Sequence, residues 1–224
     1  MPARTDAATG APTTGTPTTG TWSIVIPVKE FAFAKSRLRD GVLDVAALAL
    51  AFATDTVMAA VATPGVAEVI VVTGDSSAAG RMSQLGATVV PDPRLGLNAA
   101  IAAGIAAARF DAVAVLTGDL PALLPEHLAA ALGRGTRHPL ALVADHAGIG
   151  TTMIASRSVA AAPLRPAFGG TSRAAHEAAG HVVIDGHPGL RRDVDTPLDL
   201  AIARSLGVGR ATEQTAVAPA ASLP

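Results

Sequence analysis

The chain has 224 residues, 17 Lys or Arg against 18 Asp or Glu, no cysteine, and a hydrophobic fraction of 50%. Such a length suits one ordinary α/β domain with a sizeable core, and a net charge of -1 excludes a general nucleic-acid binder. Without cysteine there is no disulfide framework, thiolate zinc site, iron–sulfur cluster or cysteine nucleophile, and 3% aromatics with no tyrosine leaves no stacking platform for single strands.

Residues 1–21 are rich in Thr, Ala, Gly and Pro and lack the apolar stretch of a signal peptide. They bury too little to offset their ordering entropy and are expected to form an unordered tail, as are residues 210–224. Between them lies one domain over residues 22–209. Ser23–Val28 is a short apolar run of strand length. Val42 to Ala62 has helical spacing and stops before Pro64-Gly65. It carries Asp44 and Asp55, each costing roughly 2.5–3.5 kcal/mol at bilayer depth, so it reads as a buried amphipathic helix and the protein as cytoplasmic, without a membrane partner. Glu68–Thr73 is a β-branched strand closed by Gly74-Asp75, Ser76–Leu85 a short helix, and Ala87–Val90 a strand ended by Pro91-Asp92-Pro93. Leu97–Ala108 is helical, and Ala112–Leu116 is a strand closed by Thr117-Gly118-Asp119. Apolar strands alternating with helices predict a doubly wound, mostly parallel sheet, with ligands beyond the carboxyl ends of the strands. The loops after Val28, Thr73, Val90 and Leu116 then share one edge. Pro125–Leu132 adds a helix. Leu140–Ala144 and Thr151–Ala155 look like paired strands, Thr171-Ser172 opens a further helix, and Val182–Ile184 gives another strand. This second half is expected as a small antiparallel insertion closing over the ligand edge. The apolar surplus serves either a core or an interface between copies.

Five segments carry candidate chemistry. The loop from Lys29 to Arg39 holds four cations (Lys29, Lys35, Arg37 and Arg39) and one acid. Cations beside the first strand of a parallel sheet suit a polyanion such as a triphosphate, with Arg gripping oxygens in pairs. The loop contains neither dinucleotide nor P-loop glycine spacing. Asp119, after a glycine at the end of an apolar strand, occupies the place where α/β folds put a metal carboxylate, although Gly-Asp and Leu-Pro are also ordinary turn chemistry. Asp193 and Asp195 alternate on an extended segment and so point the same way, a repulsion that a divalent cation relieves. Thr196 with Asp199 reads as a helix cap, with Pro197 at the first helical position. Phe168-Gly169-Gly170-Thr171-Ser172 places amides and hydroxyls at a helix start, suiting a carboxylate or phosphate, or simple capping. Asn98, after Gly96-Leu97, either reaches a base or ribose or caps its helix. The six histidines show no paired metal-ligand spacing and read as surface or turn residues. Trp22 reads as packing. With no G-x-S-x-G there is no serine-hydrolase elbow.

Together and in this order, these segments resemble the guanylyltransferases that build the deazaflavin coenzyme F-420, closest to the branch using phosphoenolpyruvate, with phospholactate enzymes as relatives. The family sits in the MobA-like nucleotidyltransferase superfamily. The resemblance rests on Val25-Ile26-Pro27-Val28-Lys29, Ala34-Lys35-Ser36-Arg37-Leu38, Pro91-Asp92 with Gly96-Leu97-Asn98-Ala99-Ala100, Gly118-Asp119-Leu120-Pro121, Phe168-Gly169-Gly170-Thr171-Ser172 and Asp193-Val194-Asp195-Thr196. It departs from the superfamily in having lysines and arginines where a glycine-rich first loop is usual. The resemblance implies GTP and phosphoenolpyruvate as substrates and Mg2+ on Asp119, Asp193 and Asp195. It further implies Lys29, Lys35 and Arg37 on the triphosphate, and Thr151, Thr152, Gly169, Gly170 and Ser172 on the acceptor carboxylate. Pro27, Val28, Lys29, Gly74, Gly96, Asn98 and Gly118 would line the nucleotide. Two other readings stay open on residues alone: a glycosyltransferase using Asp193-Val194-Asp195 as a D-x-D, and a nucleotide sensor without catalysis.

Overall fold

The computed structural model describes residues 21–29 and 44–217. Expectations for residues 1–20, for the basic loop with Lys35, Arg37 and Arg39, and for residues 218–224 lie outside these. In chain order the elements are β1 (Trp22–Val28), α1 (Val45–Val61), β2 (Val66–Thr73), α2 (Ser76–Gln84), β3 (Thr88–Pro91), α3 (Leu97–Ala107), β4 (Ala112–Leu116) and α4 (Pro125–Gly135). There follow β5 (Leu140–Ala144), β6 (Thr151–Ser156), α5 (Ser172–Ala178), β7 (Val182–Val183), α6 (Pro188–Arg191), α7 (Pro197–Leu206) and α8 (Arg210–Val217).

The strands form one sheet in the order β3-β2-β1-β4-β6-β5-β7. Pairing is parallel except where β6 runs against both β4 and β5. The strand pair expected as an insertion over the ligand edge is thus part of the sheet itself. Its connecting turn, with Asp145 and Gly150, and the first residue of β6, Thr151, reach that edge. Because successive strand side chains point to opposite faces, β1 sends Ile24 and Ile26 to one layer and Val25 to the other. Val69 and Val71 of β2 follow the first, Ile70 and Val72 the second. The first layer packs against α1, α2 and α4, the second against α3 and Phe168. Both faces are therefore covered, as continuous apolar strands require. Gly104 lets α3 lie close, since a Cβ there would collide with Val25 and Val72.

Asp44 caps α1 by accepting from the Ala47 amide at 2.8 Å. Unlike a surface amphipathic helix, α1 is buried over most of its circumference, with Ala46, Met58 and Val61 left exposed, because Leu48 and Phe52 meet Val194 and Ala203 on the side away from the sheet. Full burial of a side chain of that size stabilises by about 1.5–3 kcal/mol. Residues 210–217, expected to be unordered, instead form α8 against α1. Their lack of apolar periodicity is offset by a cap from elsewhere: the Asp55 carboxylate on α1 accepts from the Ala211 amide at 3.0 Å and the Thr212 amide at 2.8 Å. Among the described residues no helix is long and apolar enough to cross a membrane.

Candidate active site

Strand order reverses between β1, whose neighbour continues to β2 and β3, and β4, which leads to the other half of the sheet. Ligands of open α/β sheets bind in the crevice outside the carboxyl ends at such a switch point. A cavity of about 570 Å³ lies there. β1 delivers Pro27, Val28 and Lys29 to it, and β4 delivers Thr117, Gly118 and Asp119. The two strand ends approach closely: a Cβ on Gly118 would come within 2.8 Å of the Pro27 carbonyl oxygen. The loop after β4 is pinned to α1, whose Thr56 hydroxyl accepts from the Leu120 amide at 3.0 Å.

Asp193 and Asp195 also line the cavity, on either side of the fully buried Val194. The Val194 amide donates to the Asp119 carbonyl at 3.2 Å, a backbone bond that ties this segment to the β4 loop. The alternation read from the sequence is thus what the chain adopts. Beyond it, Thr196 and Asp199 form a reciprocal cap on α7, the Asp199 amide donating to the Thr196 hydroxyl at 3.2 Å and the Thr196 amide to the Asp199 carboxylate at 3.0 Å. Burial alone would raise the Asp199 pKa. The Thr196 hydroxyl and amide, the Asp195 amide and Arg192 outweigh it and hold the carboxyl below its ordinary value.

Thr151, Gly169, Gly170 and Ser172 complete the lining with Phe168. Gly169 and Gly170 have φ of 110° and 52°, backbone that glycine adopts without strain. Four expected residues lie elsewhere. Thr152 follows Thr151 on a strand, so it faces away; its hydroxyl donates to the Val143 carbonyl at 3.5 Å. Asn98 spends both ends of its amide on Phe168, accepting from the Phe168 amide at 2.8 Å and donating to its carbonyl at 3.2 Å. It holds the glycine loop rather than a base. Gly74 belongs to a smaller cavity of about 370 Å³ with Thr73, Asp92 and Arg94. Gly96 sits at the start of α3, outside the lining, although Leu97 and Ile101 of that helix contribute to it.

Two groups escaped the sequence reading. Asp145 lines the cavity while accepting from the Ile149 and Gly150 amides, both at 2.9 Å. Its sequence context, Asp145-His146-Ala147-Gly148 between two strands, is ordinary turn chemistry and gives no sign of a place in the site. His176 and His181, taken for surface residues, are buried. His176 stands behind Thr151, with its Nδ1 3.1 Å from the hydroxyl oxygen.

Among the described lining residues the ionisable set is Lys29 with Asp119, Asp145, Asp193 and Asp195. The donors are all oxygen, the chemistry that hard divalent cations select. The expectation of three carboxylates on one ion is not met, since among the described residues no three His, Cys, Asp or Glu side chains are grouped to hold a metal. Magnesium needs no such cluster, being bound through one or two carboxylates together with substrate phosphates.

The MobA-like NTP transferase domain model matches residues 53–182. A phosphoenolpyruvate guanylyltransferase of Salinispora arenicola is 48% identical over 197 residues, 85% of this chain and 91% of its own. Among solved structures, a nucleotidyl transferase from Methanothermobacter thermautotroptrophicus matches with a TM-score of 0.57 at 20% identity, over 83% of this chain and 97% of that one. Glucosyl-3-phosphoglycerate synthase from Mycobacterium tuberculosis, solved with Mn2+, UDP and glucosyl-3-phosphoglycerate, matches with a TM-score of 0.53 at 18% identity, over 90% and 82%. The two structures share the fold. The sequence match, which runs along nearly the whole of the Salinispora relative, goes further: the chain belongs to the MobA-like NTP transferases and, within them, to the phosphoenolpyruvate guanylyltransferase family.

Proposed function

We propose that this protein transfers the guanylyl group of GTP to the phosphate of phosphoenolpyruvate, giving enolpyruvyl-diphospho-5'-guanosine and pyrophosphate, a step toward coenzyme F-420. An oxygen of the acceptor phosphate attacks the α-phosphorus. The bond from that phosphorus to the α,β-bridging oxygen breaks, and its electron pair leaves with pyrophosphate. The acceptor is already an anion, so no strong base is required. The barrier lies in bringing two polyanions together in line and stabilising the departing charge.

The observation that carries this reading is the composition of the cavity at the switch point. Carboxylates meet hydroxyls and a glycine turn there, at the foot of the basic loop that Lys29 begins. Lys29, with Lys35 and Arg37, receives the triphosphate and the leaving pyrophosphate. Pro27, Val28 and Gly118 lie along the nucleotide. The Thr151 and Ser172 hydroxyls and the Gly169-Gly170 backbone hold the acceptor carboxylate. Asp119, with Asp193 or Asp195, would hold magnesium, which when bound supplies positive charge to the phosphates.

The test is pyrophosphate release with the four ribonucleoside triphosphates crossed against phosphoenolpyruvate, phospholactate and phosphoglycerate. GTP with phosphoenolpyruvate is expected to give the highest kcat/KM. Release of a nucleoside diphosphate from a nucleotide-sugar, with no pyrophosphate, would instead mark a glycosyltransferase. Asp119→Asn is expected to lower kcat about a hundredfold or more, with Tm within a few degrees, since the tie from Asp119 to Val194 runs through its backbone carbonyl. Retained turnover would remove Asp119 from the reaction centre.

A further inference from the structure

The hydrogen bonds around His176 determine which of its nitrogens carries the proton. The Ala167 amide lies 3.0 Å from Nε2, and an amide can only donate, so Nε2 accepts. The ring is fully buried, and burial together with the neighbouring His181 lowers its pKa to about 4, which leaves it neutral at working pH. The proton is therefore on Nδ1, 3.1 Å from the Thr151 hydroxyl oxygen. His181 does not compete for it: its Nδ1 donates to the His176 carbonyl at 3.0 Å, and its Nε2, the nitrogen left to accept, has no hydrogen-bond partner among the described residues. Since Thr151 Oγ1 accepts from His176, its own O–H is turned away from the ring and is left to donate. Among the described residues no acceptor for that proton is found, and Thr151 lines the cavity.

We propose that His176 is a positioning residue that aims the Thr151 O–H at the acceptor's carboxylate and links that hydroxyl to the glycine loop on the same acceptor. The proposal rests on the guanylyl-transfer reading above. One nitrogen of the ring orients β6 and the other holds Ala167, directly before Phe168-Gly169-Gly170. The Phe168 ring meets the imidazole edge-on at 5.1 Å, so the loop is held by shape as well as by hydrogen bonding. With His176 neutral and its tautomer fixed, Thr151 offers a donor and not a lone pair. A carboxylate is the ligand class that rewards this.

The two nitrogens can be separated by substitution. An Asn side chain reaches the position of Nδ1 and can still donate to Thr151, while a Gln side chain reaches that of Nε2 and can still accept from Ala167. His176→Gln is expected to raise the KM for phosphoenolpyruvate about tenfold, the scale of one hydrogen bond to a charged group, with kcat and the KM for GTP within twofold of wild type. His176→Asn is expected to keep the acceptor KM within about threefold. Thr151→Val should reproduce the His176→Gln effect, and the double variant Thr151→Val with His176→Gln should be no worse than Thr151→Val alone. If His176→Gln fails to fold, Thr151→Val against His176→Asn decides the matter by the same contrast. An unchanged acceptor KM in His176→Gln overturns the proposal, as do a parallel rise in the KM for GTP, equal damage from Asn and Gln, or multiplicative losses in the double variant. A wild-type protein that releases no pyrophosphate from GTP and phosphoenolpyruvate overturns the underlying reading and the proposal with it. That failure is distinguishable because it appears before any substitution is made.

Discussion

Thr56 shows how one hydroxyl can couple a helix to the reaction centre. It donates to the Phe52 carbonyl one turn earlier at 2.8 Å and accepts from the Leu120 amide at 3.0 Å, both within the core. Thr56→Val keeps the shape and removes the acceptor, leaving the Leu120 amide buried without its partner. Such a loss costs about 1–3 kcal/mol, read as a lower urea midpoint. Because Leu120 adjoins Asp119, kcat should fall with it, while a kcat at the wild-type level would show that Asp119 is held by other means. Residues of this kind are hard to read from sequence, since a threonine in an alanine-rich helix gives no sign of a partner 64 positions away. That Asp119, Asp193, Asp195, Gly169 and Gly170 line the cavity was legible, because strand ends and glycine pairs announce themselves locally. Asn98 and Thr152 were misassigned for the opposite reason. The Asn98 partner is 70 residues distant, and strand alternation allows only one of two adjacent threonines into the cavity.

At the level of elements, the strands and the helices up to α4 could be read almost to their ends, because each carries its own period, cap or stop signal. Asp44 and Asp75 cap the helices that follow them, and Pro64-Gly65 follows the end of α1. α8 could not be read. Its cap is the Asp55 carboxylate, 156 positions before Ala211, and Gly209 leaves room for it, since a Cβ there would collide with that carboxylate. Asp55→Ala should therefore release α8 from α1, at a cost of about 2 kcal/mol, the upper end of helix-cap substitutions. Hydrogen exchange would show the amides of 210–217 losing protection before those of the sheet. The exposed pair of Arg204 with Glu213, 3.1 Å apart, also reaches α8. Surface pairs contribute about 0–1 kcal/mol, so Arg204→Ala should leave that protection nearly intact. Equal losses from the two variants would place the anchor of α8 in the exposed pair instead.

Across the whole molecule, the shifted groups push stability in one direction as pH falls. Burial alone would raise the Glu68 pKa, but the Arg109 amide, the Ser23 hydroxyl and the Arg109 guanidinium hold it below 4.5. The folded state then binds its proton less readily than the unfolded state, so this stabilisation is present above pH 4.5 and is lost as pH falls through the lower, folded value. The histidines act earlier. His176 has an ordinary value of 6.5 and a folded value of about 4, lowered by burial and by His181. Above pH 6.5 both states are neutral and nothing is lost. Between 6.5 and about 4 the unfolded chain takes up a proton that the fold refuses. At about 1.4 kcal/mol per pH unit, that interval is worth about 3 kcal/mol. His181, also lowered by burial, adds in the same sense. The urea midpoint is thus expected to be flat from pH 9 to 7 and to decline steadily from about pH 6.5, well above the carboxylate range. His176→Gln has no proton to refuse, so its midpoint should fall less steeply between pH 6.5 and 5 whatever its value at pH 8, with His181 and His127, both lowered chiefly by burial, providing the remaining slope. Parallel curves for wild type and His176→Gln would mean that the buried ring takes up its proton as readily in the fold as in the unfolded chain. The Nδ1-bearing tautomer that directs Thr151 would then no longer be the one that prevails below neutrality.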